Sequence, residues 1–173
     1  MRKFGLSLLS FLLVLGMGSV AMGQQASTDV TANVIKALEI TQVSDVVFGD
    51  VEQGVTATIE PQGTGHVNAG ATAAAGEFSV DGVNGNAVTV NYTNAVLSDG
   101  TNTMNFTTQL SESASGTQNT STDLNSGQTI TLDSDGYSLY VGGDLTVGAA
   151  QALGSYTTAS GTGAQQVTVT ITY

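Results

Sequence analysis

The chain has no cysteine and no tryptophan, and only one proline, one histidine and three basic residues among 173. Each shortage removes a class of explanation. Without Cys there is no disulfide, no thiolate nucleophile and no Cys-built metal centre, so stability has to come from packing and sheet hydrogen bonds. The single histidine, His66, lies in "GTGHVNAG" among small polar residues. With no second His and no Cys to complete a metal or nucleophile cluster, it reads as a solvated loop side chain. The five tyrosines, with no Trp beside them, read as core and rim residues, and no aromatic platform for sugars is visible.

The basic residues are almost all at one end. Arg2 and Lys3 precede the apolar run Phe4 to Gly18, and small residues follow at Ser19-Val20-Ala21 and Ala21-Met22-Gly23. This is the pattern of a cleaved secretory signal. The run is short for a membrane-spanning helix, which needs about 20 residues. Cleavage after Gly23 leaves 150 residues, with Lys36 as the one basic side chain against 14 acidic ones and a net charge of −13. Such a surface repels nucleic acid and anionic membrane, whose phosphates require Lys or Arg. The expected membrane contact is through the signal peptide during export.

What the sequence does contain is Gly, Thr, Ser, Ala, Asn and Val. From Val30 the even positions Val30, Ala32, Val34, Lys36, Leu38 and Ile40 make one apolar face broken at Lys36, while the odd positions are mostly polar. This period of two predicts a half-buried strand, bent or split near Lys36. Further strands are expected at Val55–Glu60, Gly76–Val80, "NAVTVNY" (86–92), "NTMNFTTQL" (102–110), "QTITL" (128–132), "YSLYV" (137–141), "LTV" (145–147) and the closing "AQQVTVTITY". Gly-, Asn- and Asp-rich turns separate them, among them Ser98-Asp99-Gly100 and 133–136, and Gly142-Gly143 within "LYVGGDLTV" reads as either a tight turn or a Gly bulge between paired strands. "SESASGTQNTSTDLNSG" (111–127) reads as a mobile loop, and "ATAAA" (71–75) is too short to stand as a helix. The expected fold is one all-β domain over residues 24–173, an antiparallel β-sandwich of immunoglobulin or pilin type behind signal peptide 1–23.

Catalytic chemistry finds no footing. Paired carboxylates could cleave glycosides, but the acids here are scattered, without aromatic residues nearby to make sugar platforms. "DSDG" (133–136) begins like a calcium loop, but the fifth and twelfth positions are Tyr137 and Asp144 where a further ligand and a Glu are required. It reads as a hairpin turn. No cofactor, metal site or catalytic residue is expected.

The last strand poses a different question. Val167, Val169, Ile171 and Tyr173 point one way and Gln166, Thr168, Thr170 and Thr172 the other, with no Lys, Pro or bulge to blunt the edge. Such an edge is paired within the fold or by another chain. "VVFGDVEQG" (46–54), "GEFSVDG" (76–82), "LYVGGDLTV" (139–147), "GSY" (154–156) and "VTVTITY" occur in that order, and the set resembles the bacterial secreted family called domain of unknown function 4402. The Gly-x-Tyr before a terminal alternating strand is also similar to chaperone–usher pilins, although "GSYTTASGTGAQQ" is longer here and no disulfide is possible.

The resemblance implies a pilus or surface-fibre subunit, secreted through the periplasm to the cell surface or medium. Its partners would be copies of itself or related subunits, with an export chaperone or outer-membrane assembly protein. Donor-strand exchange then makes residues 24–35 the candidate donor, with Val30, Ala32 and Val34 as anchors. Val167, Val169, Ile171 and Tyr173 become candidate lining of the acceptor groove. Two other readings stand beside it: a secreted glycan-binding adhesin or biofilm-matrix module using Asn/Asp loops, and a self-templating cross-β fibre. Irregular strand spacing opposes the last.

Overall fold

The computed structural model describes residues 25–133 and 137–173. The expected signal peptide 1–23 and residues 134–136 of the acidic turn lie outside the described residues. The chain divides into two units, Met1–Val34 and Ile35–Tyr173. In the first, residues 25–34 form neither helix nor strand.

The second unit is an antiparallel sandwich. Among the described residues its strands are β1 Glu39–Ser44, β2 Thr56–Ile59, β3 Gly76–Asp81, β4 Ala87–Tyr92, β5 Ala95–Ser98, β6 Thr103–Ser113, β7 Thr122–Leu124, β8 Gln128–Thr131, β9 Tyr137–Thr146 and β10 Val169–Thr172. The larger sheet runs β1-β3-β9-β6-β5, with β2 also on β9 and β7 also on β6; the smaller runs β10-β4-β8. The alternation that predicted strands also selects the core face. In β6, Met104, Phe106, Thr108 and Leu110 are buried while Thr103, Asn105 and Thr107 are exposed.

The core has two parts. Val88, Val90 and Ile130 of the smaller sheet pack on Val80, Leu110, Leu139 and Val141 of the larger. Each fully buried Val or Leu there contributes about 1.5–3 kcal/mol. The second part consists of Ala95, Met104, Phe106, Leu145 and Val147 from one sheet alone, with no residue of β4, β8 or β10. Its cover comes from irregular chain: Val46, Phe48, Val51, Tyr156 and Val167. Half of the inner face of the larger sheet thus has no strand opposite it.

Four sequence expectations change. The alternation from Val30 becomes strand only at Glu39, because no described strand edge pairs with residues before it. Gly142-Gly143 is neither a turn nor a bulge: β9 runs straight through it in unbroken register with β6, pairing with β3 up to Val141 and with β2 from Gly143 onward. The expected mobile stretch 111–127 is built into the fold. Ser111–Ser113 closes β6, Gln118–Thr120 forms a 3-10 turn, and Thr122–Leu124 is β7. Its polar groups find fixed partners, for example Gln118 Nε2 donating to Pro61 O at 2.9 Å and Tyr140 Oη to Gly116 O at 2.7 Å. Finally, β5 is a strand the sequence reading lacked.

The β5–β6 hairpin shows why its turn forms. The Asp99 carboxylate accepts the backbone N–H groups of Thr101 and Asn102 and the Asn102 side-chain amide. These bonds, the Asn102 side chain first, hold the Asp99 pKa far below its usual 3.8. A depressed acid contributes stability above its unfolded pKa and loses it as pH falls below that value. Wild type should therefore lose thermal stability on acidification below pH 3.8 more steeply than Asp99→Asn, which keeps an acceptor oxygen but cannot titrate. Melting curves over that pH range check this; parallel curves would refute it.

Candidate functional site

Two strand edges lack partners where the sheets part. Thr93 N–H donates to Thr168 O at 3.1 Å, and the register continues Thr170↔Asn91 and Thr172↔Thr89. In an antiparallel ladder the bonded residues alternate. Thr168, Thr170 and Thr172 therefore turn their backbone groups to β4, and those of Val169 and Ile171 face outward, where no described strand lies. β1, at the margin of the larger sheet, pairs with β3 alone.

The other margin is treated differently. The edge of β5 is covered by bridges from Val96 to Gln165 and from Ser98 to Thr157. Ser98 Oγ also donates to Thr162 O at 2.9 Å. The long "GSYTTASGTGAQQ" segment is thus an edge cover.

At one end Tyr173, just past β10, is tied to the chain just before β1 and just after β3. Tyr173 Oη accepts Val83 N–H at 3.2 Å and donates to Lys36 O at 3.4 Å. Lys36 Nζ lies 2.5 Å from Asp81, whose carboxyl it holds below its ordinary pKa. Away from this pin a trough opens over the half-covered sheet. It comprises two adjoining cavities of about 570 Å³ each. The floor is apolar, from Val141 and Phe106 in the first to Met104, Leu145 and Val147 in the second. One wall is Val46 to Val51; the other is Tyr156 and the approach to β10, Gln166 to Val169. At the far end the Gln53 side-chain amide donates to Gln151 O.

The candidate residues sit as follows. Val30 and Val34 are 89% and 93% exposed, and Ala32 is also exposed. Val167 and Val169 line the first cavity. Ile171 is half-buried against the main core, and Tyr173 is the pin rather than lining. The floor, above all Leu97, Met104 and Phe106, was missed by sequence reasoning. The available clue was "AVLSDGTNTMNF": two short apolar runs about an Asp-Gly turn, a hairpin signature.

The polar side chains are engaged in building the fold. His66, expected in solvent, is half-buried and its Nδ1 accepts Glu60 N–H at 3.0 Å. Asp144 accepts Thr58 Oγ1 at 2.6 Å and Gln109 Nε2 at 3.3 Å. Tyr137 donates to Glu112; its burial, and then that carboxylate, push the phenol above its usual 10.0. Ser138 Oγ donates to Glu77 at 2.9 Å. Among the described residues no three of His, Asp and Glu are grouped to hold a metal ion.

The family model described as "Domain of unknown function (DUF4402)" matches residues 38–173, and the chain belongs to that family. No curated protein matches it. The matched span begins at Leu38, so the family domain holds the whole trough and excludes the exposed segment that carries Val30 and Val34.

Proposed function

We propose that this DUF4402 chain is a non-enzymatic, secreted structural subunit of a pilus-like filament or surface layer, assembled by β-strand complementation. The N-terminal segment of one copy lies in the trough of the next, taking up the free edges of β1 and β10. One observation carries the reading: a trough with an apolar floor and polar walls between two unpaired edges, in a chain whose segment ahead of β1 offers Val30 and Val34 to solvent. An open edge invites pairing, and proteins that stay single blunt it. Here the β5 margin is covered and the β1/β10 margin is not. The engagement of Asp144, Glu112, Glu77 and His66 in structural hydrogen bonds supports the non-enzymatic part.

The test is sedimentation of the chain from residue 24 at rising concentration, beside a variant lacking residues 24–35, with electron microscopy of both. Linear oligomers that vanish on truncation are expected. A full-length chain that stays monomeric at every concentration would falsify the proposal.

A further inference from the structure

The two edges at the open margin are unequal. β1 loses its register between Gln42 and Ser44, where Val43 stands opposite no residue of β3 and is 58% exposed. An extra residue of this kind bends a strand and interrupts its row of outward backbone groups, one of the ways natural edges refuse a partner. Charge acts in the same direction. Glu39 opens β1, Asp45 follows its end, and the trough lining on that side also includes Asp50.

β10 has none of these features. Its register with β4 runs from Val169 to Thr172 without a shift. Residues 145–173 carry no charged side chain, in a chain that holds 14 acidic ones. The trough wall on that side, 156–159 and 166–169, is accordingly uncharged. Two copies of so acidic a chain repel each other overall. Contact between them is least opposed where neither carries charge. The β10 side is one such surface. Residues 30–35 are another: they lie between Asp29 and Lys36, are uncharged and exposed, and belong to no helix or strand.

We propose that β10 is the edge that receives the incoming strand: residues 30–35 of a second copy add to β10 through the outward backbone groups of Val169 and Ile171, and β1 only flanks them. This rests on the strand-complementation reading and names which of its two edges makes the bonds. Thr170 and Thr172 spend their backbone groups on β4, so those of Val169 and Ile171 are the ones a new strand meets.

The test uses the chain from residue 24 in about 0.5 M NaCl, where screening shortens the reach of like-charge repulsion to a few ångströms. Sedimentation reads assembly and thermal melting reads folding. Ile171→Pro removes one outward N–H, a change that an edge strand tolerates. It should need at least about tenfold more protein to assemble than Ile171→Ala, which loses comparable packing but keeps that N–H. Val169→Pro against Val169→Ala repeats the comparison on the same outward row if Ile171→Pro does not fold. Thr170→Pro, whose N–H faces β4, should melt lower than Ile171→Pro. Val43→Lys places on β1 the charge that stops edge pairing, and should assemble like wild type. Equal assembly of the Pro and Ala variants overturns the β10 assignment, and so does failure of Val43→Lys to assemble. Both results leave strand complementation standing when removal of residues 24–35 still abolishes oligomers. Thr170→Pro melting no lower than Ile171→Pro overturns the facing on which the assignment rests. If wild type stays monomeric, or removal of residues 24–35 changes nothing, strand complementation itself falls.

Discussion

Val34→Asp should abolish oligomer formation while leaving the monomer's unfolding transition where it was. The two halves of that expectation have separate causes. In its own chain Val34 is 93% exposed, and substitutions at such positions usually change stability by no more than about 0.5 kcal/mol. In the assembly proposed above the same side chain would be buried on the apolar floor of the next copy's trough. Losing that burial costs about 1.5–3 kcal/mol, or roughly one to two powers of ten in affinity. A carboxylate left unpaired among Phe, Leu and Val adds further cost, and nothing basic lines the trough to pair with it. The variant should still accept a labelled wild-type peptide of residues 24–36, because its own trough is unchanged. Sedimentation together with peptide binding by anisotropy reads both outcomes. Oligomers that persist in Val34→Asp would remove the segment from the interface.

Much of the sandwich was legible because a half-buried strand writes its burial into alternate residues. β3, β4 and β8 fall within about a residue of the expected spans where the alternation is clean, while β6 runs three residues past its expected end. The alternation from Val30 to Ile40 was as clear and still did not yield a strand before Glu39. Periodicity records which face a segment can bury; whether an edge is available to pair with it is a tertiary matter. Gly142-Gly143 failed for a related reason. Local chemistry makes a Gly pair read as a turn or bulge; the strand needs two residues without side chains there because β2 crowds Gly142 through Ile59 O and β6 crowds Gly143 through Thr107 O. β5, with four residues, is too short to show a period. The trough was half visible: "VVFGDV" and "GSY" marked the family, and both turn out to be its walls. Its floor is made from core-facing residues of β5, β6 and β9, which cannot be told from ordinary core until the facing layer is known to be incomplete.

Replacing Gly143 by alanine should be the most damaging single-methyl change in the sandwich. β9 is flanked along its second half by β2 on one side and β6 on the other. At Gly143 a Cβ would stand 2.0 Å from Thr107 O and 3.1 Å from Gln109 N, and φ is +139°. Both neighbours are backbone of a central strand, so neither can swing aside. Gly142 supplies the clash without the dihedral: its Cβ would lie 2.1 Å from Ile59 O, and its φ is not positive. Gly85 supplies the dihedral without the clash, with φ +79° and nothing within 4 Å.

A non-Gly residue in left-handed backbone costs about 1–3 kcal/mol, and that is the expected loss for Gly85→Ala. Gly142→Ala should exceed it, since the strand junction must spread. Gly143→Ala carries both penalties and should leave no cooperative transition, a loss comparable to the whole stability of a domain at about 5–15 kcal/mol. Denaturant titrations followed by circular dichroism rank the three, and equal midpoints for Gly143→Ala and Gly85→Ala would refute the assignment. The consequence reaches the trough. Val141 and Leu145, on either side of the glycine pair, belong to its floor. A milder Gly142 variant that folds should therefore bind the 24–36 peptide more weakly than wild type, although neither glycine lines either cavity.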